Sequence, residues 1–451
     1  MKPNIVSPPG IPRSYGGEFL FLKSGRGVYL KDGEGNRYLD FGAGIAVNAL
    51  GYGRRDLARI AGRQMRRLIH VSNLYANPAA VELTRLLTDP AVFPADAGPG
   101  RFAAVHFGNS GAEANESALK FARLYARRTR GEGHHKLASF THGFHGRTMG
   151  ALSVTPKEPA RAPFVPLLPG TEVLPYNDPE ALETLTPDFA AVIVEVIQGE
   201  GGLTAMTPDF AKALNDVCRR HDILLIADEV QTALRRTGSL FASMDVGLEP
   251  DIITMSKPLA GGLPLSATLI PAKVNDLLQP GDHGTTFGGG PVTTAVATHV
   301  WRTIADRNFG GSVVETAAHL DAGLQALAGE FDFITELRGR GMLRGLVVEA
   351  GRRERGGGTT ETPGEAVTPP KTSAAAVKTI MDACREAGLL ILKSGDNVVR
   401  LAPPLVISKR EIDRGIGILR QVMREHATAI TAPAEEGSAE ATTFQEGETH
   451  E

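Results

Sequence analysis

The sequence predicts an α/β protein with a large domain, built on a mostly parallel doubly wound sheet, and a smaller α+β domain. Between about residues 100 and 260, apolar runs that end in polar residues alternate with amphipathic helical patterns, as in parallel strands joined by helices. From about residue 310 longer helices and short strands are predicted. With 451 residues, the chain is too long for one ordinary core, so more than one domain is expected.

Composition excludes several classes of protein. Hydrophobic residues make up 42% and charged residues 22% of the chain, and no apolar segment approaches the length of a membrane span. The net charge is −3, which gives no case for nucleic-acid binding. Cys218 and Cys384 are far apart, so neither a disulfide framework nor a zinc site is expected. The first ten residues lack the apolar core of a signal peptide, which favours the cytoplasm.

Domain boundaries are predicted from changes in composition. The segment 351–373 is rich in Gly, Thr, Glu and Pro, and 431–451 carries six glutamates without Lys or Arg. The expected divisions are an N-terminal segment at 1–75 contributing to the small domain, a large domain at 76–310, a C-terminal small domain at 311–430 with a flexible insertion at 351–373, and a disordered acidic tail at 431–451.

The N-terminal segment contains a predicted hairpin. Strand-like residues at 28–30 and 38–41 flank a turn rich in Gly, Asp and Asn. The run 42–48 follows, and its two glycines could mimic half of a dinucleotide fingerprint. The third glycine is missing and no crossover helix is predicted there. A nicotinamide-binding oxidoreductase is therefore disfavoured.

A predicted strand at 101–107 leads through Gly108 and Gly111 into a predicted helix at 117–128. A strand, a glycine-containing turn and a helix N-terminus can bind phosphate, because free backbone N–H groups and the helix dipole both favour an anion. An ordinary Ser or Gly helix cap explains the same pattern.

The next predicted strand, at 138–140, ends in a glycine-rich loop with an aromatic ring, Phe144, and a cation, Arg147. They could stack on a flat cofactor and bind a carboxylate. His142 and His145 share no ligand spacing with a carboxylate or cysteine, so solvated or packing histidines are expected and no metal is predicted.

Two further apolar runs, at 191–194 and 223–227, end in Glu195 and Asp228, and Lys257 lies one short element later. In doubly wound sheets ligands bind at the carboxyl ends of strands, where these side chains would converge. A carboxylate and an amine placed in this way indicate Schiff-base chemistry. A second loop rich in Gly and Thr, at 283–290, could donate hydrogen bonds to phosphate.

Taken together, these motifs resemble those of the class III, or ω-amino, aminotransferases. These enzymes use pyridoxal 5′-phosphate (PLP) and have PLP fold type I, which implies a large domain with a seven-stranded sheet. The resemblance runs from about Gly25 to about Arg420. The motifs occur in family order: Asn109-Ser110-Gly111-Ala112-Glu113-Ala114-Asn115-Glu116, Phe144-His145-Gly146-Arg147-Thr148, Gln198-Gly199-Glu200, Asp228-Glu229-Val230-Gln231-Thr232, Ser256-Lys257 and Thr285-Thr286-Phe287-Gly288-Gly289.

The resemblance implies two catalytic residues. Lys257 would bind PLP as a Schiff base and then move the proton between the substrate and the cofactor, a role that suits a desolvated lysine. Asp228 would pair with the ring nitrogen and keep it protonated, so that the ring acts as an electron sink.

Further cofactor contacts follow from the same resemblance. Gln231 would hold the ring hydroxyl and Phe144 would stack on the ring. Gly111 and Ala112 would bind the phosphate through backbone N–H groups, helped by Thr286 of a neighbouring subunit. The last contact implies a homodimer with shared active sites.

Substrate contacts are implied as well. Arg147 resembles the residue that binds the distal carboxylate of the amino donor, and Arg400 resembles the one that binds the α-carboxylate of glutamate. Glu200 would pair with Arg400 when an ω-amino donor is bound and release it for glutamate. Thr285 would contact the substrate from the partner subunit.

Within the family the chain is most similar to N-acetylornithine aminotransferases, as the runs 44–51, 70–75 and 150–155 indicate. Ornithine aminotransferases have a tyrosine where Ile45 stands, and an apolar Ile45 suits an acylated amine better than an ammonium. The expected reaction converts N2-acetyl-L-ornithine and 2-oxoglutarate into N-acetyl-L-glutamate 5-semialdehyde and L-glutamate, a step of arginine biosynthesis. Succinylornithine, ornithine or 4-aminobutyrate are the alternative donors.

Several positions depart from the family pattern. Tyr52 begins a segment that usually reads His-x-His-Pro, Ala233 and Arg235 replace customary glycines, and Pro258 follows the lysine in place of a small residue. These changes put the local backbone path in question but remove no catalytic group. A non-catalytic relative is disfavoured because Lys257, Asp228 and Arg147 are all present.

Overall fold

The computed structural model describes residues 2–12, 14, 18–93, 101–350 and 371–431. Most of the predicted insertion at 351–373 and all but the first residue of the predicted tail at 431–451 lie outside the described residues. The last residues of the predicted insertion are helical, because a helix begins at Lys371.

Strands and helices alternate through the middle of the chain, as predicted. The strands are β1 Ile5–Val6, β2 Phe19–Leu20, β3 Leu22–Arg26, β4 Tyr29–Asp32, β5 Arg37–Asp40, β6 Ala104–Gly108, β7 Lys136–Phe140, β8 Thr171–Leu174, β9 Phe189–Val194, β10 Leu224–Asp228, β11 Ile252–Met255, β12 Ser266–Ile270, β13 Ile334–Arg340, β14 Leu343–Val348, β15 Leu389–Leu390, β16 Leu392–Ser394 and β17 Val398–Leu401. The helices are α1 Ala43–Ala46, α2 Arg55–Arg67, α3 Pro78–Leu87, α4 Gly111–Arg130, α5 Met149–Ser153, α6 Glu158–Arg161, α7 Pro208–His221, α8 Ala272–Asn275, α9 Pro291–Ala305, α10 Arg307–Glu330, α11 Lys371–Glu386, α12 Lys409–Glu425 and α13 Ala427–Thr431.

The largest sheet has seven strands in the order β6-β12-β11-β10-β9-β7-β8. The pairs from β11 through β8 are parallel, whereas β12 runs antiparallel to both of its neighbours. The mostly parallel sheet predicted from the sequence is therefore confirmed. Its central strands β9 and β10 are buried along their whole length, which explains why they are continuous apolar runs instead of alternating ones.

The helices that cover this sheet begin at capping side chains. Ser110 caps α4 by accepting a hydrogen bond from Glu113 N, and Thr207 caps α7 in the same way. Pro208 occupies the first position of α7, where no N–H group is needed. One face of α7, which includes Cys218, is buried against the core.

Besides the two-stranded sheet β1-β2, two four-stranded sheets are built from the two ends of the chain. One has the order β13-β14-β17-β16, and the other has the order β15-β5-β4-β3. The hairpin predicted around residues 31–36 is confirmed as β4 and β5. Strand β5 also pairs in parallel with β15, so that Leu39 lies opposite Leu389.

Candidate active site

Five segments at the carboxyl ends of strands line one cavity of about 470 Å³. They lie at the ends of β6, β7, β9, β10 and β11, and their side chains include Asp228 and Lys257. The volume lies within the range of cofactor sites. A larger cavity of about 710 Å³ lies at the opposite ends of β10 and β11 and is lined by ion-paired surface residues such as Arg219 and Glu249. The smaller cavity is lined by Asp228 and Lys257 and is therefore the candidate active site.

Asp228 is the carboxylate at the floor of the cavity, and it is only 4% exposed. Its Oδ2 atom accepts hydrogen bonds from Asn115 Nδ2 and His145 Nδ1, each at 2.8 Å. Its Oδ1 atom accepts one from Val230 N at 3.1 Å. Three donors fix the carboxylate and leave acceptor capacity for a further N–H group.

Lys257 follows β11 and begins the single 3₁₀ turn Lys257–Ala260. Burial lowers the pKa of Lys257, while the carboxylates of Glu200 and Asp228 act in the opposite direction. The lowered pKa favours the neutral amine, which is the nucleophilic form. Pro258 is accommodated because it lies in the first turn, where its missing N–H group leaves no hydrogen bond unmade.

The first turn of α4 lies at one end of the cavity. The helix begins at Gly111, earlier than predicted, so the predicted phosphate turn is the helix N-terminus itself. A Cβ atom on Gly111 would lie 2.6 Å from Val230 Cγ1. Gly111 and Ala112 both line the cavity, and the first N–H groups of a helix have no partner within it. This end of the cavity therefore fits a phosphate group.

Phe144 and Glu195 form the side of the cavity. Phe144 N donates to Glu195 Oε2 at 2.8 Å, and Gly199 N donates to Glu195 Oε1 at 3.2 Å. Burial raises the pKa of Glu195 to about 7. The guanidinium of Arg147 lies 5.7 Å from the centre of the Phe144 ring and is exposed at the cavity mouth. A cation there can bind a carboxylate that enters from solvent.

Arg400 reaches the site from β17. Its Nη1 atom donates to Gly199 O at 2.8 Å, to Glu200 Oε1 at 2.5 Å and to Gln231 Oε1 at 3.1 Å. The side chain is buried, and its Nε atom has no hydrogen-bond partner among the described residues. Glu200 is 35% exposed at its side chain, so the carboxylate can move away from the guanidinium into solvent.

Thr285 and Thr286 lie on a loop outside the cavity of the single chain. Asn73 Nδ2 holds this loop by donating to Thr285 O at 2.9 Å and to Gly288 O at 3.1 Å. Thr286 is exposed. The structure thus brings Lys257 and Asp228 together with the expected ring and phosphate contacts, whereas these two threonines do not line the cavity.

Two residues around Asp228 were not predicted as part of the site. His145 was expected to be solvated or a packing residue; it is buried, at 2% exposed, and its Nδ1 atom is hydrogen-bonded to Asp228 Oδ2 at 2.8 Å, a contact that was not predicted. Asn115 donates to Asp228 and accepts from Thr254 Oγ1 at 2.7 Å. The sequence signal that could have found them is their place in two of the family motifs, Asn115 in 109–116 and His145 in 144–148. Among the described residues no cluster of His, Cys, Asp and Glu could hold a metal ion.

The turn α1, which ends next to the cavity, is left-handed. Ala43, Gly44, Ile45 and Ala46 all have positive φ, at 47°, 63°, 62° and 64°. For residues other than glycine this conformation costs roughly 1–2 kcal/mol each. Ile45 is 44% exposed, and Val47, which follows the turn, lines the cavity beside Lys257.

Comparison with known proteins decides the family. A family model described as aminotransferase class-III matches residues 11–423. The chain belongs to the class-III aminotransferases. A probable mitochondrial acetylornithine aminotransferase of Dictyostelium discoideum is 39% identical over 411 residues, which cover 90% of this chain and 83% of that protein.

Solved structures of this family share the fold. The N-acetylornithine aminotransferase of Stenotrophomonas maltophilia K279a has a TM-score of 0.75 at 30% identity, covering 92% of this chain and 99% of that one. The ornithine aminotransferase of Toxoplasma gondii has a TM-score of 0.78 at 31% identity, covering 90% of this chain and 92% of that one, and that structure was described with partial occupancy of PLP at the active site. This class-III aminotransferase has PLP fold type I and is a PLP-dependent transaminase.

The cavity fits PLP on its own geometry. Lys257 offers an amine of lowered pKa, Asp228 offers a carboxylate with free acceptor capacity, and Gly111 and Ala112 place a helix N-terminus in the cavity wall. In the described part of this aminotransferase, no helix is long and apolar enough to cross a membrane.

Proposed function

We propose that this aminotransferase transfers the δ-amino group of N2-acetyl-L-ornithine to 2-oxoglutarate and forms N-acetyl-L-glutamate 5-semialdehyde and L-glutamate. The observation that carries the proposal is the pairing of Arg400 with Glu200 close enough to Lys257 to influence its pKa. An arginine that exchanges a protein carboxylate for a substrate carboxylate can accept two substrates of different charge in turn. The similarity to named acetylornithine aminotransferases supports the choice of donor.

The chain would divide the work among a few side chains. PLP, when bound, supplies an aldehyde that takes up the amino group and a ring that withdraws electrons from the adjacent C–H bond. Lys257 Nζ would take the proton from the amine-bearing carbon of the donor. Asp228 would hold a proton on the ring nitrogen. Gln231 would hold the ring hydroxyl, and Phe144 would cover one ring face and exclude water.

Donor selection would depend on Arg147, Ile45 and Glu200, of which Arg147 lines the cavity. Arg147 is an exposed cation that would bind the carboxylate of the donor. Ile45 is apolar and exposed, so it would favour the acetylated amine over a free ammonium, which needs a polar partner. Glu200 would neutralise Arg400 during this half of the reaction and release it for the α-carboxylate of glutamate.

We also propose a homodimer with shared active sites, in which Thr285 and Thr286 complete the partner's cavity. Two segments with exposed apolar side chains support this. Leu74 and Tyr75 are 85% and 70% exposed, and Phe287 is 68% exposed. Asn73 joins the two segments through its bonds to the 285–288 loop. A contiguous exposed apolar patch is typical of a subunit interface.

Pairing of β5 with β15 supports the proposed division of the chain, in which 1–75 joins 311–430 in a small domain beside the large domain at 76–310. Hydrogen exchange should show β5 and β15 protected together, and independent opening of the two strands would argue against this division.

The free, buried cysteines Cys218 and Cys384 support a reducing compartment, and we propose the cytoplasm and arginine biosynthesis as the setting.

An absorbance spectrum with donor titration tests the function. We expect a visible band from lysine-bound PLP that bleaches on addition of N-acetylornithine, and a Lys257→Ala variant that lacks this band and does not turn over. Rates with N-acetylornithine, succinylornithine, ornithine and 4-aminobutyrate then rank the donors. A preference for 4-aminobutyrate over both acylated ornithines would show that N-acetylornithine is not the amino donor. A wild-type protein that binds no PLP would refute the proposed transaminase activity.

A further inference from the structure

The left-handed turn Ala43–Ala46 needs support from outside itself. Only one of its four residues is a glycine, so three L side chains are held in a conformation that they rarely adopt. Within the turn, Ala46 N donates to Gly42 O and Val47 N donates to Ala43 O, both at 2.9 Å. Such a conformation persists only where the surrounding structure over-determines it.

Asp40, the last residue of β5, supplies this support. Its Oδ1 atom accepts hydrogen bonds from Gly42 N at 2.7 Å and from Ala43 N at 3.0 Å. Asp40 is 3% exposed. Burial raises the pKa of Asp40, while hydrogen bonds to it and the guanidinium of Arg236 act in the opposite direction. The carboxylate thus fixes the two N–H groups with which the turn begins.

Tyr52 in turn fixes Asp40. The Tyr52 hydroxyl donates to Asp40 Oδ2 at 2.5 Å. The backbone of Tyr52 is itself anchored, because its N and O atoms bond to Gly27 O at 2.7 Å and Gly27 N at 3.0 Å. Burial and the Asp40 charge raise the pKa of Tyr52, so the hydroxyl remains a donor across the working pH range.

The residue that follows the turn reaches the wall of the cavity. Ala43 and Ala46 are buried, which leaves Ile45 as the exposed apolar side chain of the turn. Val47 lines the cavity together with Lys257 and Gly262. The Asn48 side chain approaches the same wall, since its Oδ1 atom is 3.1 Å from the position of a Cβ atom on Gly262.

We infer that Tyr52, acting through Asp40, is a positioning residue that sets donor selection by holding the turn that carries Ile45 and leads directly into Val47 in the cavity wall. The inference rests on the proposed function, because it assigns Ile45 the contact with the acylated amine. Tyr52 touches neither the cofactor nor the reacting atoms. Its removal therefore changes which amine is accepted and leaves Lys257 and Asp228 in place.

The test compares Tyr52→Phe with the matched variant Tyr38→Phe in the PLP-loaded enzyme. Tyr38 is also buried and also donates its hydroxyl to a carboxylate, Asp32 Oδ2 at 2.9 Å, but outside the turn. For Tyr52→Phe we expect the ratio of kcat/KM for N-acetylornithine over ornithine to fall by about three- to tenfold, the effect of one hydrogen bond. The change should lie mainly in KM, with the PLP absorbance and the glutamate half-reaction unchanged. Tyr38→Phe should lower thermal stability and leave the ratio as it is.

Two further measurements keep the result interpretable. Hydrogen exchange of a peptide that spans 41–50 should be faster in Tyr52→Phe than in the wild type, a readout that does not depend on activity. Tyr52→His retains a hydrogen-bond donor at this position. It should therefore restore part of the ratio of kcat/KM for N-acetylornithine over ornithine. A ratio that stays unchanged in Tyr52→Phe, or a turn that exchanges no faster, overturns the inference while the proposed function stands. A wild type that does not use N-acetylornithine overturns the proposed function instead.

Discussion

At the scale of single residues, the position of the Asp228 carboxylate is fixed by hydrogen bonds from three neighbours. Asn115, His145 and Val230 all donate to its carboxylate. Asp228→Asn keeps the volume but removes the charge that would hold a proton on the cofactor ring. We expect kcat to fall by at least about ten- to a hundredfold, the equivalent of a charged hydrogen bond. Steady-state kinetics with saturating PLP measure this.

A matched control for this substitution is Asp222→Asn. Asp222 accepts a hydrogen bond from the Tyr125 hydroxyl at 3.0 Å and lies at the end of α7, outside the active-site cavity. It has a left-handed conformation that asparagine tolerates well. The kcat of Asp222→Asn should remain close to that of the wild type. Equal kcat values for the wild type and Asp228→Asn would refute the role of Asp228.

Glu195 gives a prediction about pH. Burial raises its pKa from the ordinary 4.5 to about 7 in the folded chain. Between these two pH values the unfolded chain has lost this proton while the folded chain keeps it. The contribution of Glu195 to the free energy of unfolding therefore falls as pH rises from about 4.5 to about 7, and it is level above. Denaturant unfolding of the wild type and Glu195→Gln should show a difference between the two that changes across this window. A difference independent of pH would contradict the buried, protonated carboxyl.

Part of the active site, but not all of it, could be predicted from the sequence. Lys257 and Asp228 are predictable because each follows an apolar strand, and strand ends converge in a parallel sheet. The roles of Asn115 and His145 are not, since they arise only when α4 and the loop after β7 meet at one carboxylate. Periodicity in the sequence contains no information on that meeting point.

At the scale of elements, the start of α4 is the feature that limits substitution. In Gly111→Ala the new Cβ atom would lie 2.6 Å from Val230 Cγ1, so the helix start has to shift away from its position at the cavity. We expect PLP affinity to fall by about tenfold or more, the effect of weakened phosphate hydrogen bonds. Titration of the cofactor-free enzyme with PLP measures this.

Gly417, in α12, provides the comparison for Gly111. No atom lies within 4 Å of a Cβ atom built on it. Gly417→Ala should therefore raise the free energy of unfolding by about 0.5–1 kcal/mol, since alanine favours the helix, and it should leave PLP affinity unchanged. If both variants bound PLP as the wild type does, the close approach at Gly111 would have no function.

The turn α1 shows where prediction of elements stops. A run with glycines at 42 and 44 indicates a turn, but left-handed φ values at two alanines and an isoleucine run against local preference. They follow from Asp40 and Tyr52, which lie on either side of the turn in sequence. The departure at Arg235 is similar: Arg235 has φ of 63° and is held by a 2.7 Å bond from its Nε atom to Ile304 O.

At the scale of the whole molecule, shared active sites predict complementation between inactive subunits. Lys257→Ala and Thr286→Ala should each impair the enzyme, the second at limiting PLP. In a mixed dimer, the Thr286→Ala subunit keeps its own Lys257 and would receive an intact Thr286 from its partner. After unfolding and refolding of an equal mixture, we expect about a quarter of the wild-type activity from the restored sites.

The mixing experiment has a clear negative result. Activity equal to the average of the two separate variants would mean that each subunit builds its site alone. Sedimentation of the wild type gives the independent check, because a monomer at assay concentration would also exclude shared sites. The sheet order was likewise beyond the sequence: β12 is as fully buried as the parallel strands β9 and β10, and its antiparallel direction depends on how 256–266 turns back beside β6.

The pairing of β5 with β15 also has a consequence for biosynthesis. Leu39 and Leu389 are separated by most of the chain, yet they are direct neighbours. At roughly 5–20 residues per second, a ribosome needs tens of seconds between them. During that interval the strands from β6 to β12 can assemble. Strand β5 and the turn after it remain unpaired until β15 has been synthesised. We therefore expect nascent chains that end before residue 389 to protect the seven-stranded sheet from protease and to leave the donor-selecting turn open to cleavage. The residues that choose the substrate would then be among the first to be synthesised and the last to be folded.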